Sequence, residues 1–261
     1  MKNLIMREEV FADDIQEALN NDEFKIYLQP LVSAENERID GFEALLRWQH
    51  PVKGVLEPTE FIPLIKVSAL KEQLDYMVFE KVCAFLQQRL HAGKKMFCIS
   101  CNFVREHFMK FDFVSEIQKI RGKYQVPAKY LALEIMEGQA FAYEGIVQRN
   151  VDELNRLGYP VYLDDCGAEN STISDLMFQS ITHIKIDKKI IDQIERENVQ
   201  VLLHGLCSIA HRLSCKAVCE GVETKEQLEL AKRCGVDTIQ GFYYYHPMNV
   251  ANAEILFDAY A

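Results

Sequence analysis

The chain has 261 residues, of which 49% are hydrophobic, and a formal net charge of −10. One α/β barrel of about 250 residues accounts for this length, and no apolar run approaches the roughly 20 residues that a transmembrane helix needs. An acidic protein does not attract polyanions through its overall field, so neither duplex nucleic acid nor an anionic membrane surface is expected as a general partner.

The N-terminus and the cysteines indicate the compartment. The first nine residues lack the apolar segment of a secretory signal peptide. The eight cysteines do not belong to a small secreted scaffold that disulfides would have to staple. Both features predict a cytoplasmic protein with reduced thiols.

A short acidic helix and a hairpin are predicted at the start of the chain. Residues 6–20 have the apolar spacing of an amphipathic helix. Strands are predicted over 24–32 and 41–47, with a polar turn between them. Because a hairpin pairs its strands antiparallel, the first strand is expected to run against the others. We assign residues 1–20 to a connector helix and residues 21–261 to a single barrel domain.

From residue 60 onward, strands and helices alternate. Further strands are predicted over 96–102, 130–136, 160–164, 183–187, 214–220 and 238–244, and helices over about 70–92, 111–124, 143–157, 197–213 and 224–234. The strands are nearly continuous apolar runs, as in a parallel sheet that is buried on both faces. Eight such runs with helices between them predict an α/β fold of the closed (β/α)₈ type, and an open doubly wound sheet is the alternative that the pattern leaves open.

Polar side chains lie in or directly after most of the predicted strands. They are Glu43, Asn102, Glu134, Asp164, Asp165, Lys185, Asp187, Glu220, Glu223 and Gln240. In a (β/α)₈ barrel the carboxyl ends of the strands form the mouth that holds the active site, so these groups are expected to converge there. A lone acidic residue at a strand end is more often a helix cap or a solvated loop residue. Recurrence on six or seven successive strands favours a functional acidic mouth instead.

The carboxylates of this mouth predict a metal site. Five of the side chains are acidic: Glu43, Glu134, Asp164, Asp165 and Glu220. Like charges in a confined space repel one another, and Lys185 alone cannot neutralise them, whereas divalent cations can. Ligation by oxygen alone favours Mg²⁺ or Mn²⁺. Two such ions, about 3.5–4 Å apart, are a standard apparatus for hydrolysing a phosphodiester.

The chain resembles a known family, the EAL-domain cyclic di-GMP phosphodiesterases. The signature tripeptide is Glu43, Ala44 and Leu45, within the longer motif of residues 41–51. Further family motifs follow in order at residues 27–30, 60–64, 133–137, 163–165, 184–187, 220–224 and 239–241. The resemblance covers about residues 12–258, and so many spaced motifs make it far more specific than the tripeptide alone.

The resemblance implies a fold, a reaction and a set of roles. The fold is a modified TIM (β/α)₈ barrel whose first strand is antiparallel to the others, and the reaction is hydrolysis of cyclic di-GMP to linear pGpG. The implied ligands of two metal ions are Glu43, Asn102, Glu134, Asp164, Asp165 and Glu220. The implied catalytic residues are Lys185, Asp165, Gln240 and Glu137. By the resemblance, Lys185 positions or helps to deprotonate the attacking water, Gln240 holds that water or a metal-bound one, and Glu137 braces the loop after the paired aspartates. The implied substrate contacts are Gln29, Arg47, Asp187 and Glu223.

The resemblance also implies partners, namely a homodimer and an upstream sensory or GGDEF domain in a longer protein. One loop departs from the family pattern, which usually continues the paired aspartates with Phe-Gly-Thr-Gly-Tyr. Here Cys166, Glu169 and Asn170 replace the Phe, the second Gly and the Tyr. A Glu in place of a Gly removes the freedom to adopt positive φ, so the loop at 166–172 must be shaped differently.

Two other functions therefore remain open from the sequence. One is a binding module that senses cyclic di-GMP without useful turnover, which the altered loop would explain. The other is a metal-dependent barrel that abstracts a proton beside a carbonyl, with Lys185 as the base. This last reading explains the acids and the lysine but not the series of motifs.

Overall fold

A computed structural model describes residues 12–65, 68–136, 144–167 and 180–260. Its ten strands, within those ranges, are β1 (Phe24–Ser33), β2 (Ile39–His50), β3 (Gly54–Leu56), β4 (Cys98–Phe103), β5 (Leu131–Ile135), β6 (Val161–Cys166), β7 (His183–Ile186), β8 (Lys216–Cys219), β9 (Thr238–Ile239) and β10 (Met248–Asn249).

The α-helices in the same ranges follow most of these strands. They are α1 (Ala12–Asn20), α2 (Pro58–Phe61), α3 (Ser68–His91), α4 (Arg105–Phe108), α5 (Phe113–Tyr124), α6 (Glu144–Arg156), α7 (Lys188–Ile191), α8 (Glu197–Arg212), α9 (Lys225–Arg233) and α10 (Val250–Ala259). None of these described helices is both long enough and apolar enough to cross a membrane.

Eight strands close into a barrel in the order β1, β2, β4, β5, β6, β7, β8, β9 and back to β1. Strand β1 pairs antiparallel with both of its neighbours, β2 and β9. Every other contact around the ring is parallel. The predicted barrel with one reversed strand is thus confirmed, and the open sheet is excluded because the ring has no free edge.

Two apolar layers position the mouth of the barrel. The larger lies between the strands and the surrounding helices, where for example Phe42 of β2 stacks on Phe257 of α10 at 4.3 Å between ring centroids. The smaller fills the barrel itself, with Leu31, Ala132, Tyr162 and Val218 at its centre. Because side chains alternate along a strand, the residue two positions after each of the last three also points inward. Those residues are Glu134, Asp164 and Glu220. A layer of acidic side chains therefore lies directly next to the apolar layer inside the barrel.

One predicted strand is too long. The apolar pattern predicts a strand over 238–244, but β9 ends at Ile239 and the chain turns at Gly241. A Cβ on Gly241 would lie 2.1 Å from the carbonyl oxygen of Val222, so the two loops are in backbone contact there. The Val222 N–H donates to Gln240, and Val222 accepts from the N–H of Tyr243. The loop after β8 therefore takes over the hydrogen bonds that a longer β9 would have made.

The other predicted elements agree with the structure to within about two residues at most ends. Of the helix predicted over 6–20, the structure describes only the part from Ala12. Its Ile15 and Ala18 are buried against Trp48 at the end of β2.

A candidate metal centre at the mouth of the barrel

Seven of the predicted side chains converge on one point inside the barrel. Glu43 comes from β2, Asn102 from β4, Glu134 from β5, Asp164 from β6, Lys185 from β7, Glu220 from the end of β8 and Gln240 from the end of β9. Parallel pairing brings corresponding positions of neighbouring strands side by side, as the register of Asn102 opposite Glu134 illustrates. The position in each strand, and not only the residue type, therefore determines which polar groups meet.

Lys185 lies at the centre of these groups. Its Nζ is 2.6 Å from Glu134 Oε2 and 2.6 Å from Glu220 Oε1. The same atom is 3.1 Å from Asp164 Oδ1 and 3.3 Å from Glu43 Oε2. Only 1% of the Lys185 side chain is exposed, and none of Glu134. One buried ammonium thus faces four carboxyl groups, of which Asp164 and Glu220 remain partly exposed.

A chain of amides holds Glu43. Asn102 Nδ2 donates to Glu43 Oε1 at 2.6 Å, and Gln240 Nε2 donates to Glu43 Oε2 at 2.6 Å. Gln240 Nε2 also donates to Gln29 Oε1 at 3.1 Å, and Gln29 Nε2 in turn donates to the carbonyl of Tyr245 at 3.1 Å. Burial would raise the pKa of Glu43, but the Lys185 ammonium and the two amides outweigh burial and lower it. Glu43 is therefore held as a carboxylate in a fixed orientation.

The pKa values of three other acids are shifted in the opposite direction to that of Glu43. Burial, reinforced by the charge of Glu43, raises the pKa of Glu134 well above its ordinary value. Burial raises the pKa of Glu220 to about 8, and burial together with Asp164 raises the pKa of Asp165 to about 6. Burial opposes the charged form of Lys185, but Asp164 and the surrounding glutamates raise its pKa. The site therefore has an excess of negative charge that protons or cations must balance.

The donor set fits a hard divalent cation. One carboxylate oxygen from each of Asp164, Asp165 and Glu220 lies within 4.8 Å of the other two. Glu134 Oε1 is buried and, in the described part of the chain, has no hydrogen-bond partner. These donors are all oxygen atoms, which suit Mg²⁺, Mn²⁺ or Ca²⁺ better than softer metals. The backbone of Asp165 is left-handed, with φ of 59°, which costs energy and is typical of functional sites.

The structure describes all four residues that were predicted to contact the substrate. Gln29 is part of the amide chain, and Arg47 donates to Glu57 Oε1 at 3.2 Å with its guanidinium 5.8 Å from the ring of Tyr27. Asp187 caps α7 by accepting from the N–H of Lys189. Glu223 pairs with Lys188 at 2.7 Å, and both side chains are partly exposed. Glu137 and positions 168–172 of the altered loop lie outside the described residues.

Three neighbours of the site were not predicted from the sequence. Tyr245 contributes only a backbone carbonyl, which no residue pattern indicates. Glu57 and Lys188 are ordinary charged loop and helix residues. Their partners follow from strand pairing, of β2 with β3 for Glu57 and Arg47 and of β7 with β8 for Lys188 and Glu223. The N-cap position of Glu57, directly before Pro58, was the one available signal, and it indicates a helix start rather than a site.

Comparison of the sequence with protein families and with known proteins identifies the family. A family model described as "EAL domain" matches residues 12–247. The oxygen sensor protein DosP of Escherichia coli (strain K12) is 28% identical over 249 residues, which are 95% of this chain and 31% of DosP. The bifunctional diguanylate cyclase/cyclic di-GMP phosphodiesterase MucR of Pseudomonas aeruginosa is 28% identical over 236 residues, which are 90% of this chain and 34% of MucR. The chain thus spans about a third of the length of these relatives.

Solved structures agree with this comparison. The EAL enzyme Bd1971, in a form bound to cAMP and cyclic di-GMP, superposes with a TM-score of 0.86 at 26% identity, over 94% of this chain and 67% of that one. The phosphodiesterase of Pseudomonas aeruginosa MucR, in complex with cyclic di-GMP, superposes with a TM-score of 0.85 at 27% identity, over 92% of this chain and 98% of that one.

Proposed function

Because the chain belongs to the EAL domain family, we propose that it is a metal-dependent phosphodiesterase that hydrolyses cyclic di-GMP to linear pGpG. The observation that carries the proposal is the ring of four carboxyl groups around the buried ammonium of Lys185. A relative of known name, NbdA of Pseudomonas aeruginosa, is a cyclic di-GMP phosphodiesterase and is 26% identical over 249 residues. The solved MucR phosphodiesterase that the fold resembles binds cyclic di-GMP.

We propose two Mg²⁺ or Mn²⁺ ions as the cofactors. The residues that would hold them are Glu43, Asn102, Glu134, Asp164, Asp165 and Glu220. When bound, such ions supply Lewis acidity to the phosphodiester and lower the pKa of water. They also resolve a conflict of charge, because an acidic barrel would otherwise repel an anionic phosphodiester. The short distances among the oxygens of Asp164, Asp165 and Glu220 support this assignment.

The remaining polar groups would organise the attack. Lys185 holds a proton at Nζ between Glu134 and Glu220, so it can donate a hydrogen bond to a water molecule or to a phosphate oxygen. Gln240 is buried and fixed by Glu43, which suits it to orient the same water. The water would attack phosphorus in line with the bond to the ribose 3′ oxygen. That bond would break as the new P–O bond forms, and the proton that the water loses would end on the 3′ oxygen, which becomes the 3′ hydroxyl of pGpG. Asp165 is proposed to act in the hydrolytic step as well as in metal binding.

Substrate binding is proposed for four residues of the mouth. Gln29 and Arg47 would contact the guanine and phosphate regions, and Asp187 and Glu223 would lie at the edge of the ligand. The buried position of Gln29 within the amide chain and the placement of Arg47 beside Tyr27 support this assignment. Glu137 is proposed to brace the loop that follows the paired aspartates.

The decisive experiment is a turnover assay. Purified protein is incubated with Mg²⁺ or Mn²⁺ and cyclic di-GMP, and pGpG is measured over time. We expect product with the wild type and none with Glu43→Ala, because that change removes a proposed ligand and the acceptor of two amides. A Glu43→Ala variant as active as the wild type would exclude the proposed site.

A sensor without turnover is the second candidate, and the sequence of the altered loop favours it. Cys166 occupies the position where the family has Phe, and Glu169 a position where it has Gly. The same assay separates the two functions. Binding of cyclic di-GMP by calorimetry without any pGpG would establish the sensor and exclude the enzyme.

We also propose the context of the chain. Residues 1–20 would form a connector helix and residues 21–261 the barrel domain of a longer cytoplasmic protein, with a sensory or GGDEF domain upstream. MucR, a bifunctional diguanylate cyclase/cyclic di-GMP phosphodiesterase, extends well beyond the matched region. The packing of Ile15 and Ala18 against Trp48 would allow α1 to transmit force to β2. A homodimer is proposed as the working form, and analytical ultracentrifugation would test it.

A further inference from the structure

The turn that follows Asn102 is held from behind by a side chain of α3. Asp75 Oδ2 accepts a hydrogen bond from the backbone N–H of Val104 at 3.1 Å. The same oxygen lies 3.1 Å from Nε2 of His107, in α4. Both partners belong to the segment that directly continues β4. One carboxylate oxygen therefore fixes this segment at two points, two and five residues after Asn102.

His107 is fully buried, and its ring extends the hold on the same segment. It lies edge-on to Tyr76 at 4.6 Å and to Phe103 at 5.3 Å between ring centroids. Phe113 closes the far side of the ring at 5.6 Å. Because Phe103 directly follows Asn102, the ring cluster and the Asp75 hydrogen bonds together leave the end of β4 little freedom to move.

Asn102 needs such support because it has few contacts of its own. In the described part of the chain, its side chain makes one hydrogen bond, from Nδ2 to Glu43 Oε1 at 2.6 Å. It is also less buried than Glu43 or Glu134. Its orientation therefore depends on the backbone that carries it. Pairing with β5 fixes that backbone at Asn102 and Phe103, and Asp75 fixes it just beyond the strand, at Val104.

We propose that Asp75 is a positioning residue that keeps the amide of Asn102 aimed at Glu43 and at the cation site. The inference rests on the proposed metal-dependent function, which makes Asn102 a ligand. Groups that orient metal ligands from behind typically contribute about 10- to 100-fold to metal affinity. Asp75 itself does not touch the cation site, so its effect must pass through Asn102.

The test uses Mn²⁺ alone as the probe and measures its affinity for the purified protein by electron paramagnetic resonance. Asp75→Ala removes the acceptor of both hydrogen bonds, and we expect it to weaken Mn²⁺ binding about tenfold. Asp75→Asn retains an oxygen that can accept from Val104 and His107, and we expect affinity close to that of the wild type. In an Asn102→Ala background, Asp75→Ala is expected to add no further loss.

A second variant removes one hydrogen bond without changing Asp75. Val104 has φ of −60°, which proline adopts, and it follows an extended residue, which proline tolerates. Val104→Pro therefore deletes the N–H donor in a compatible backbone. We expect weaker Mn²⁺ binding from this variant too, so the proposal stays testable even if Asp75→Ala does not fold.

The matched control is Asn150 of α6, which holds the same segment farther from Asn102. Its Nδ2 donates to the carbonyls of Phe108 and Lys110 at 2.8 and 2.7 Å, and the side chain is 1% exposed. We expect Asn150→Ala to lower stability towards urea and to leave Mn²⁺ affinity unchanged.

Three results would overturn the positioning role. The first is an Mn²⁺ affinity in Asp75→Ala equal to that of the wild type. The second is a loss of Mn²⁺ affinity from Asp75→Ala that is as large in the Asn102→Ala background as in the wild type. The third is a loss of Mn²⁺ affinity from Asn150→Ala as large as that from Asp75→Ala. A wild type that binds no Mn²⁺ at all would instead exclude the proposed metal site, and the role of Asp75 with it. A wild type that binds Mn²⁺ normally but forms no pGpG would exclude the proposed enzyme activity and would leave the positioning role of Asp75 intact.

Discussion

Lys185 is unusual because its charged side chain is almost completely buried. A buried ammonium is costly unless it is paired, and here it is shared among Glu43, Glu134, Asp164 and Glu220. Without a divalent cation, Lys185 is the positive charge that these side chains contact. Its first role is therefore structural: it holds the carboxyl groups together before any ion arrives.

This role predicts the effect of Lys185→Met. At pH 8 in a chelator, we expect the free energy of unfolding to fall by about 3–5 kcal/mol, because buried carboxylates lose their partner. Saturating Mg²⁺ should reduce that deficit, since ions that bind only the folded state stabilise it. Urea denaturation followed by circular dichroism measures both values.

Lys188→Met is the control for Lys185→Met. Lys188 is 44% exposed and pairs with Glu223 and Asp192 at the surface, so its loss should cost less than about 1 kcal/mol. If Lys185→Met were as stable as the wild type in chelator, the shared ammonium would have no structural role.

At this scale the sequence predicts which residues point into the barrel but not which of them pair. Alternation along β5 and β6 places Glu134 and Asp164 inside, and the recurrence of acids predicts their convergence. The contacts of Gln240 with Glu43 and Gln29 join the ends of β9, β1 and β2, so they depend on how the ring closes and how its strands are staggered. A backbone acceptor such as that of Tyr245 has no sequence signal at all.

At the level of elements, the end of β9 is fixed where the loop after β8 contacts the loop after β9 at Gly241. The backbone of Val222 passes so close to Gly241 that any side chain there would collide with backbone atoms. The apolar run over 238–244 predicts a strand because its aromatic residues favour strands. The close approach of the loop after β8 overrides that preference, and this tertiary contact is why the strand prediction fails there.

Gly241→Ala and Gly205→Ala should therefore change stability in opposite directions. At Gly241, φ of 159° and the contact at 2.1 Å predict a loss of about 2 kcal/mol or more, together with weaker ligand binding as Gln240 shifts. At Gly205, within α8, a Cβ would meet open space, so helix propensity predicts a gain of about 0.5–1 kcal/mol. Urea denaturation compares both with the wild type. Equal effects of the two changes would contradict the close approach at Gly241.

Across the whole molecule, the reversed β1 is the piece that closes the ring. It runs antiparallel to β2 on one side and to β9 on the other, and it brings Gln29 opposite Glu43. Eight strand-like runs alone are compatible with an open sheet, because pairing between the first and last strands joins residues more than 200 positions apart. The hairpin pattern near residue 35 predicts the reversal, but closure itself is a property of the whole chain.

The charge of the closed site couples stability, pH and metal. Folding raises the pKa of Glu220 from 4.5 to about 8 and that of Asp165 from 3.8 to about 6, in both cases mainly through burial. A carboxyl group whose pKa is raised by folding binds its proton more tightly in the folded state. It contributes stability that is present below the unfolded pKa and is lost as the pH rises through the folded pKa. Without metal, the protein should thus lose stability between about pH 3.8, the unfolded pKa of Asp165, and about pH 8, the folded pKa of Glu220.

Divalent cations should reverse this trend, because they bind the ionised carboxylates that lose their protons in that window. We expect the rise in Tm caused by saturating Mg²⁺ to be larger at pH 8 than at pH 6, and differential scanning fluorimetry with and without chelator measures it. Glu220→Gln removes one of the titrating groups, so the metal-free Tm of this variant should fall less steeply over the same range. An equal Mg²⁺ shift at both pH values would mean that the ion does not compete with protons for these oxygens. The cation would then bind somewhere other than the ring around Lys185.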